Sequence, residues 1–437
     1  MHTIIPRSRH RRTAPVLISC LMVAFAAQGA DDTRLDVPEP FTPEVLSDLA
    51  LARNPGVEAL QAAARAAEFR VAPAGALEDP LLSYSAAPDT VGGPRGLEQR
   101  IELTQPLPWP GKLGLREEAA RQRAAAAVQN VGELRLRVAT AAKALFGEWA
   151  YVHRALAINA HHQGLLSELR RVAETRYAVG RAGQQDALQA EVARARLQAE
   201  ALTLERRRQE IRARTNGLLN RAPQAGLPPP AALPPPLSLP PLAVLEQGVL
   251  QEHPGLGQLR ARVSEAQAQR DLAKKDFYPD IRVMAGYNSL WDRVDKRWSI
   301  GVGVNLPFDY GNKRSAALDA ARADLLQRRW QLTDSEAELL GELEAARAAV
   351  EETAQAIELY RKRLLPLAED NLSAARADYR AGAGSFLNVI DAEREQLRTE
   401  DALARARADY VGRLAELERW LGRPLASSHT QNQEATR

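Results

Sequence analysis

Acid–base, nucleophilic or metal chemistry needs reactive side chains at short, defined spacing, and this chain offers few. His161 and His162 are adjacent, with His153 eight residues earlier. Neighbours on a helix diverge by about 100°, so they chelate one ion poorly together, and a solvent-facing role is expected for them. Met284 stands among polar and small residues, and a lone thioether is not a copper relay. Gly111-Lys112 lacks the glycine spacing and the Ser/Thr of a phosphate loop, and neither H-E-x-x-H nor G-x-S-x-G occurs. Gly301-x-Gly303 lies in an alternating run where glycine eases packing. Arg206-Arg207-Arg208 points three ways around a helix and reads as a solvated face. No catalytic, cofactor or metal site is therefore expected, and the chain does not read as an enzyme.

Charge and composition narrow the class further. The 437 residues carry 58 Lys+Arg against 55 Asp+Glu, a formal charge of +3. Arg7, Arg9, Arg11 and Arg12 supply the excess; without them the chain is near neutral, which argues against a nucleic-acid partner. These arginines precede an apolar run from Ala14 to Ala27, and residues 1–29 read as a secretory signal peptide. Ala27-Gln28-Gly29 fits the cleavage site, with Ala24-Phe25-Ala26 as a rival. Leu17-Ile18-Ser19-Cys20 has the form of a lipobox, yet the apolar run continues past Cys20. If Cys20, the one cysteine, is removed, the mature chain has no disulfide. Beyond the signal no window holds the roughly 20 apolar residues of a membrane helix. The exported chain is thus either soluble or crosses a membrane as a β-barrel.

The elements come in duplicate. Asn54-Pro55-Gly56 returns as His253-Pro254-Gly255, and Leu107-Pro108-Trp109 as Leu306-Pro307-Phe308, at a constant offset of 199. With small slips, Tyr177-x-x-Gly180 pairs with Tyr379-x-x-Gly382, and Leu219-Asn220-Arg221 with Leu421-Gly422-Arg423. The expected organisation is two tandem structural repeats, residues 41–222 and 242–425. A proline-rich linker at 223–241 joins them, and a disordered tail follows at 426–437. Proline fixes φ and lacks a donor, so the linker should be extended; a polyproline ligand for a partner domain is the other reading. Ala-, Leu-, Glu-, Arg- and Gln-rich stretches predict long helical hairpins at 112–220 and 313–421. At 1.5 Å per residue, the 112–177 arm alone makes a rod of roughly 100 Å. Pro366 should kink the second copy. Leu197, Leu204, Ile211 and Leu218 recur every seven residues, a seam for a neighbouring helix.

Period-two patterns predict strands at about 80–87, 97–105, 280–289 and 297–306. Trp298, Ile300, Val302, Val304 and Leu306, for example, alternate with small or polar residues. Such strands suit either a half-buried soluble sheet or a membrane barrel, apolar toward lipid and polar toward the lumen. Aromatics are only 5% of the chain. Trp109, Tyr287, Trp291, Trp298 and Phe308 nonetheless cluster at these strands, as do Tyr84, Phe277, Tyr278 and Tyr310, where a membrane-interface belt would need them. Four strands cannot close around a lumen, and an open edge in lipid is prohibitive. The strands must then be shared among copies; three copies, for example, would supply twelve.

The order helix, two strands, long helix, tip turn and helix, repeated after a signal peptide, resembles the TolC family of outer-membrane efflux proteins over roughly residues 41–425. The most specific pieces are Gln105-Pro106-Leu107-Pro108-Trp109-Pro110-Gly111-Lys112, and Tyr379-x-x-Gly382-x-x-Ser385 followed by Ile390-Asp391-Ala392-Glu393. The resemblance implies a mainly α chain with a membrane β-barrel: a homotrimer whose twelve-stranded barrel sits in outer-membrane lipid and continues as a periplasmic α-helical barrel. It implies a passive efflux channel working with a periplasmic adaptor (membrane fusion protein) and an inner-membrane RND pump. The Pro-Trp-Pro-Gly-Lys form is similar to the heavy-metal branch, the CusC and CzcC kind, which suggests metal cations as cargo. A multidrug or type I secretion duct is the alternative within transport, and a periplasmic coiled-coil adaptor is the alternative of another class.

The tip turns carry the site residues that the resemblance implies. Tyr177, Val179, Gly180 and Gly183 on one turn, and Tyr379, Gly382, Gly384 and Ser385 on the other, would meet the adaptor. Some family members place two carboxylates three residues apart as acidic rings in the lumen. Those positions read here as Asn388 and Asp391, with Asp186 at the corresponding place in the first half. Asp391 is then either a constriction that attracts cations or an ordinary surface acid, paired with Arg394 across the tip.

Overall fold

A computed structural model describes residues 38–87, 98–289, 294 and 297–425. The proposed signal segment, Trp291 and the 426–437 tail lie outside the described residues. The first half runs α1 (Pro43–Arg53), α2 (Pro55–Phe69), α3 (Val71–Gly75), β1 (Leu81–Ala87), β2 (Glu98–Leu107), α4 (Lys112–Ala178) and α5 (Gln184–Leu218). The second runs α6 (Leu242–Glu252), α7 (Pro254–Lys275), β3 (Asp280–Asn288), β4 (Trp298–Asn305), α8 (Lys313–Leu359), α9 (Leu365–Ala381) and α10 (Phe386–Leu421).

The repeated Asn/His-Pro-Gly motif starts a helix each time. Asn54 Oδ1 accepts from the Gly56 amide at 3.0 Å, and His253 Nδ1 accepts from the Gly255 amide at 3.1 Å, with proline at the first helical position. Burial holds the His253 pKa below its ordinary value, which keeps that nitrogen an acceptor.

Pro366 follows a π turn, Tyr360–Leu364, between α8 and α9. A proline ring collides with the carbonyl four residues earlier. Here that carbonyl belongs to Lys362, inside the turn, and the wider winding makes room for it.

The helices pack along seams. Near the tips, Leu166, Leu169, Ala190, Leu197, Leu372 and Ile390 form one core between α4, α5, α9 and α10. Further along, Leu343, Val350, Leu403, Tyr410 and Leu417 join α8 to α10. The α4 and α10 backbones come close at Gly147, where a Cβ would stand 2.7 Å from the Ala408 carbonyl oxygen. The 223–241 segment has no regular structure and is strapped to these helices. Trp149 Nε1 donates to the Pro228 carbonyl, the Ala231 amide to the Phe41 carbonyl, and the Leu237 amide to Tyr410 Oη at 2.7 Å.

The strands make one antiparallel sheet in the order β1-β2-β3-β4, so β1 and β4 are its edges. Its register sorts the side chains. Tyr84 faces Ile101, which faces Tyr287, which faces Trp298; Leu82, Leu103, Ala285 and Ile300 form the next row. Successive side chains alternate between faces, so Leu82, Tyr84, Ile101, Leu103, Ile281, Val283, Ala285, Tyr287, Trp298, Ile300, Val302 and Val304 share one face. Ser83, Ser85, Arg100, Glu102, Thr104, Arg282, Met284, Gly286, Ser299, Gly301 and Gly303 share the other. The apolar face is uncovered: Ile300 is 86% exposed and Trp298 75%.

Candidate functional site at the helical tips

Each hairpin turns on a glycine in the left-handed region, Gly180 at φ +70° and Gly382 at φ +80°, a conformation that other residues adopt at a cost. Gly382 follows α9, and the Ala383 amide returns to the Asp378 carbonyl, a helix-ending pattern. Gly183 has an ordinary extended φ and serves as the N-cap of α5. Gly384 packs against Asp378, so that a Cβ would approach its Cβ to 3.0 Å. Ser385 caps α10, its Oγ accepting from the Asn388 amide at 3.3 Å.

The two turns are tied to each other. The Tyr379 hydroxyl donates to Asp186 Oδ2 at 2.9 Å. The Arg176 guanidinium lies 4.7 Å from the centre of the Tyr379 ring and donates to the Tyr379 and Arg380 carbonyls. Phe386 meets the same ring edge-on at 5.1 Å. Burial, with the Asp186 carboxylate beside it, pushes the Tyr379 hydroxyl up to about 12, so it stays a donor.

Tyr379 is consequently 5% exposed and presents no ring to a partner. The large apolar side chains that the turns expose are Tyr177 and Val179, with Leu188 and Leu387 close by in sequence. Asn388 and Asp391 are both exposed on α10, flanked by the buried Val389, Ile390 and Ala392. Asp391 does pair with Arg394, at 3.3 Å, but along its own helix one turn on rather than across the tip. Three residues on an α-helix make one turn, which suffices to bring the two side chains together.

At the sheet, Trp298 and Phe308 are exposed, Tyr287 is half-buried against Trp298 at 5.4 Å, and Trp109 stacks on Tyr278 at 5.2 Å. Lys112, which ends the Pro-Trp-Pro-Gly-Lys motif, is buried between two carboxylates, 3.0 Å from Asp276 and 3.0 Å from Asp280. The motif is therefore a joint between sheet and helix.

His162 corrects the solvent-facing expectation. It is fully buried, with Nδ1 2.8 Å from Glu393 Oε1 and Nε2 3.6 Å from Glu400 Oε1. The two glutamates stand seven residues apart on α10 and so share a face. Burial alone would push the imidazole pKa down; the two carboxylates outweigh it and push it up to about 9, so the ring is a cation at neutral pH. Glu400 is held below its ordinary value by the same contact. A buried histidine facing two acids from another helix leaves no local spacing signal, since His162 lies more than 200 residues from either glutamate. Among the described residues, no group of three or more His, Cys, Asp or Glu is placed to hold a metal ion. Above this level Tyr151 donates to Asp401 at 3.0 Å, Arg207 and Arg405 both reach Glu148, and Lys143 meets Glu418 at 2.5 Å. Arg206, Arg207 and Arg208 each have a separate acid, Glu210, Glu148 and Glu205.

Residues 245–423 match the family OEP, outer membrane efflux protein. Over that stretch the chain is similar to the outer membrane efflux proteins, the TolC type. The family is one of channel proteins. The cobalt-zinc-cadmium resistance protein CzcC of Cupriavidus metallidurans is 30% identical over 191 residues, which is 41% of this chain and 42% of that protein. The chain thus matches about two fifths of the length of the curated relatives it resembles. Among solved structures, the outer membrane protein VceC of Vibrio cholerae superposes with a TM-score of 0.76 at 21% identity, covering 88% of this chain and 97% of that one. CusC superposes with a TM-score of 0.77 at 18% identity, covering 87% and 92%. These likenesses establish the TolC-type channel fold.

Proposed function

We propose that this protein is the outer-membrane duct of a tripartite efflux system: a homotrimer in which three four-stranded sheets close a twelve-stranded barrel, continued into the periplasm by the helical hairpins. The observation that carries the reading is the sheet. Twelve apolar side chains share its uncovered face, interrupted by Gln99 and Gln105; the other face is polar or small apart from Leu81 and Met284, and both edges are unpaired. An unpaired edge is not tolerated in hydrocarbon, and closure with further copies removes it. A coiled-coil adaptor would have no use for such a face. Among the described residues no helix is long and apolar enough to cross a membrane, so in this reading the strands do the crossing.

At the other end the tied hairpins form a resting constriction. Tyr177 and Val179 offer a periplasmic adaptor its apolar contacts, an inner-membrane RND pump supplies the energy, and the duct is passive. Asp391, repeated by three copies, gives the constriction a negative ring that favours cations. The likeness to CzcC supports heavy-metal cations as cargo. Fractionation tests the assembly: the protein should sediment with outer membranes, require detergent for release and run as a heat-labile trimer. Release as a soluble monomer would overturn the reading. A deletion strain should lose tolerance to at least one of copper, silver, zinc, cobalt and cadmium; unchanged tolerance to all five would overturn the metal cargo while leaving the duct.

A further inference from the structure

The two halves of the chain end their second strands differently, and the difference points to a contact between copies. After β2 the chain enters α4 at Lys112, whose amine is buried against Asp276 and Asp280, the acids that lead into the neighbouring strand β3. After β4 it enters α8 at Lys313, the repeat counterpart of Lys112. Lys313 is exposed, and among the described residues it has no ion-pair partner. A cation in the first turn of a helix is also disfavoured by the helix dipole. Arg314 follows it, and Asp309, the nearest acid along the sequence, is already engaged by the Arg314 amide and by Ser315. The strand that would supply an acid partner is missing because β4 is an edge.

The other edge, β1, supplies what Lys313 lacks. Glu78 and Asp79 lead into β1 just as Asp276 and Asp280 lead into β3. Both are exposed. Asp79 has no ion-pair partner among the described residues, and Glu78 has only a 4.0 Å approach from Arg116. The β2–β3 register sets Leu107 opposite Ile281 and Gln105 opposite Val283. Moved by the 199-residue repeat, it sets Leu306 of one copy opposite Leu82 of the next, and Val304 opposite Tyr84. This register keeps the apolar faces of both edges on the same side. Lys112 stands four positions past the residue that the ladder would put opposite Asp280. Lys313 stands the same four positions past the residue opposite Asp79. Against the 199-residue offset Lys313 lies two residues later than Lys112, and Asp79 lies two residues earlier than Asp280, so the two shifts match.

We propose that β4 of one copy pairs with β1 of the next in this register, and that Lys313 closes the seam on Asp79 of that copy, with Glu78 beside it, as Lys112 does within a chain. The inference rests on the trimeric reading above and adds its register and its charge lock.

The test uses the full chain in detergent. Lys313→Glu and Asp79→Lys should each lose the trimer band at a temperature where the parent keeps it, and the combined exchange should recover it. Lys112→Glu should not be recovered by Asp79→Lys. Because a charge change can also harm folding, register is read separately by thiol cross-linking, with the parent chain, whose one cysteine is Cys20, as background. Asn305→Cys with Ser83→Cys, opposite each other in this register, should link copies; Asn305→Cys with Leu81→Cys, two positions off, should not. A stable trimer with no recovery in the exchange, or with the shifted pair linking as well as the opposite pair, would overturn this contact and leave the duct intact. A monomer would overturn both.

Discussion

His162 is the residue whose environment departs furthest from its sequence neighbourhood. Its charge is buried with two carboxylates, and removing one member of a buried ionic group typically costs about 3–5 kcal/mol. His162→Leu should therefore lower the melting temperature of the assembled protein, while the exposed neighbour His161→Ala should leave it within experimental scatter. The pH dependence has a definite sign. A pKa raised from 6.5 to about 9 stabilises the folded state fully below pH 6.5, and the gain is lost as pH rises through about 9. Thermal melts between pH 6 and 9.5 should show that decline in the parent chain and a flatter profile in His162→Leu. At the tip, Tyr379→Phe removes the hydrogen bond to Asp186 and little else, so it should raise single-channel conductance in planar bilayers with only about 1 kcal/mol lost from stability. Asp391→Ala should lower cation selectivity in the same recordings, and unchanged selectivity would remove the proposed ring.

At the scale of elements, the strands and the sheet faces test the membrane reading. Val302 lies mid-strand on the apolar face, and Gly303 beside it lies on the other. Val302→Arg should cost about 2–4 kcal/mol if that face meets lipid, seen as protein lost from the outer-membrane fraction, whereas Gly303→Ser should be tolerated. Much at this scale was legible in the sequence. The alternation from Trp298 to Leu306 announces β4, and the proline-free stretch after Lys112 announces α4, because periodicity is a local property. The π turn was legible only as a kink, since proline dictates a disturbance but its neighbours choose the form. The ties among Arg176, Tyr379 and Asp186, and those of His162, were not legible. They depend on how four helices rotate against one another, and spacing along one helix does not encode that rotation. Gly147 was missed for the same reason: its lack of a side chain matters only because the Ala408 carbonyl approaches from another helix.

For the whole molecule, the central feature is a sheet that a single chain leaves open. Its apolar face is uncovered, its edges are free, and the long hairpins are held together at the tips by hydrogen bonds and a few turns further along by a buried charge. Each of these acquires a purpose if copies close around a common axis. The strands then find partners, the apolar faces form a belt, and the tips converge on a constriction that an adaptor can loosen. Electrostatics fits this division, because the chain is nearly neutral once the four leading arginines are set aside, and many of its charges stand in local pairs. The most direct measurement is the mass of the detergent-solubilised protein extracted from outer membranes, read by native mass spectrometry and followed by conductance in a planar bilayer. Three chains and a discrete conducting state are the expected result. A single chain released without detergent, or a trimer that never conducts under any tip variant, would contradict the account.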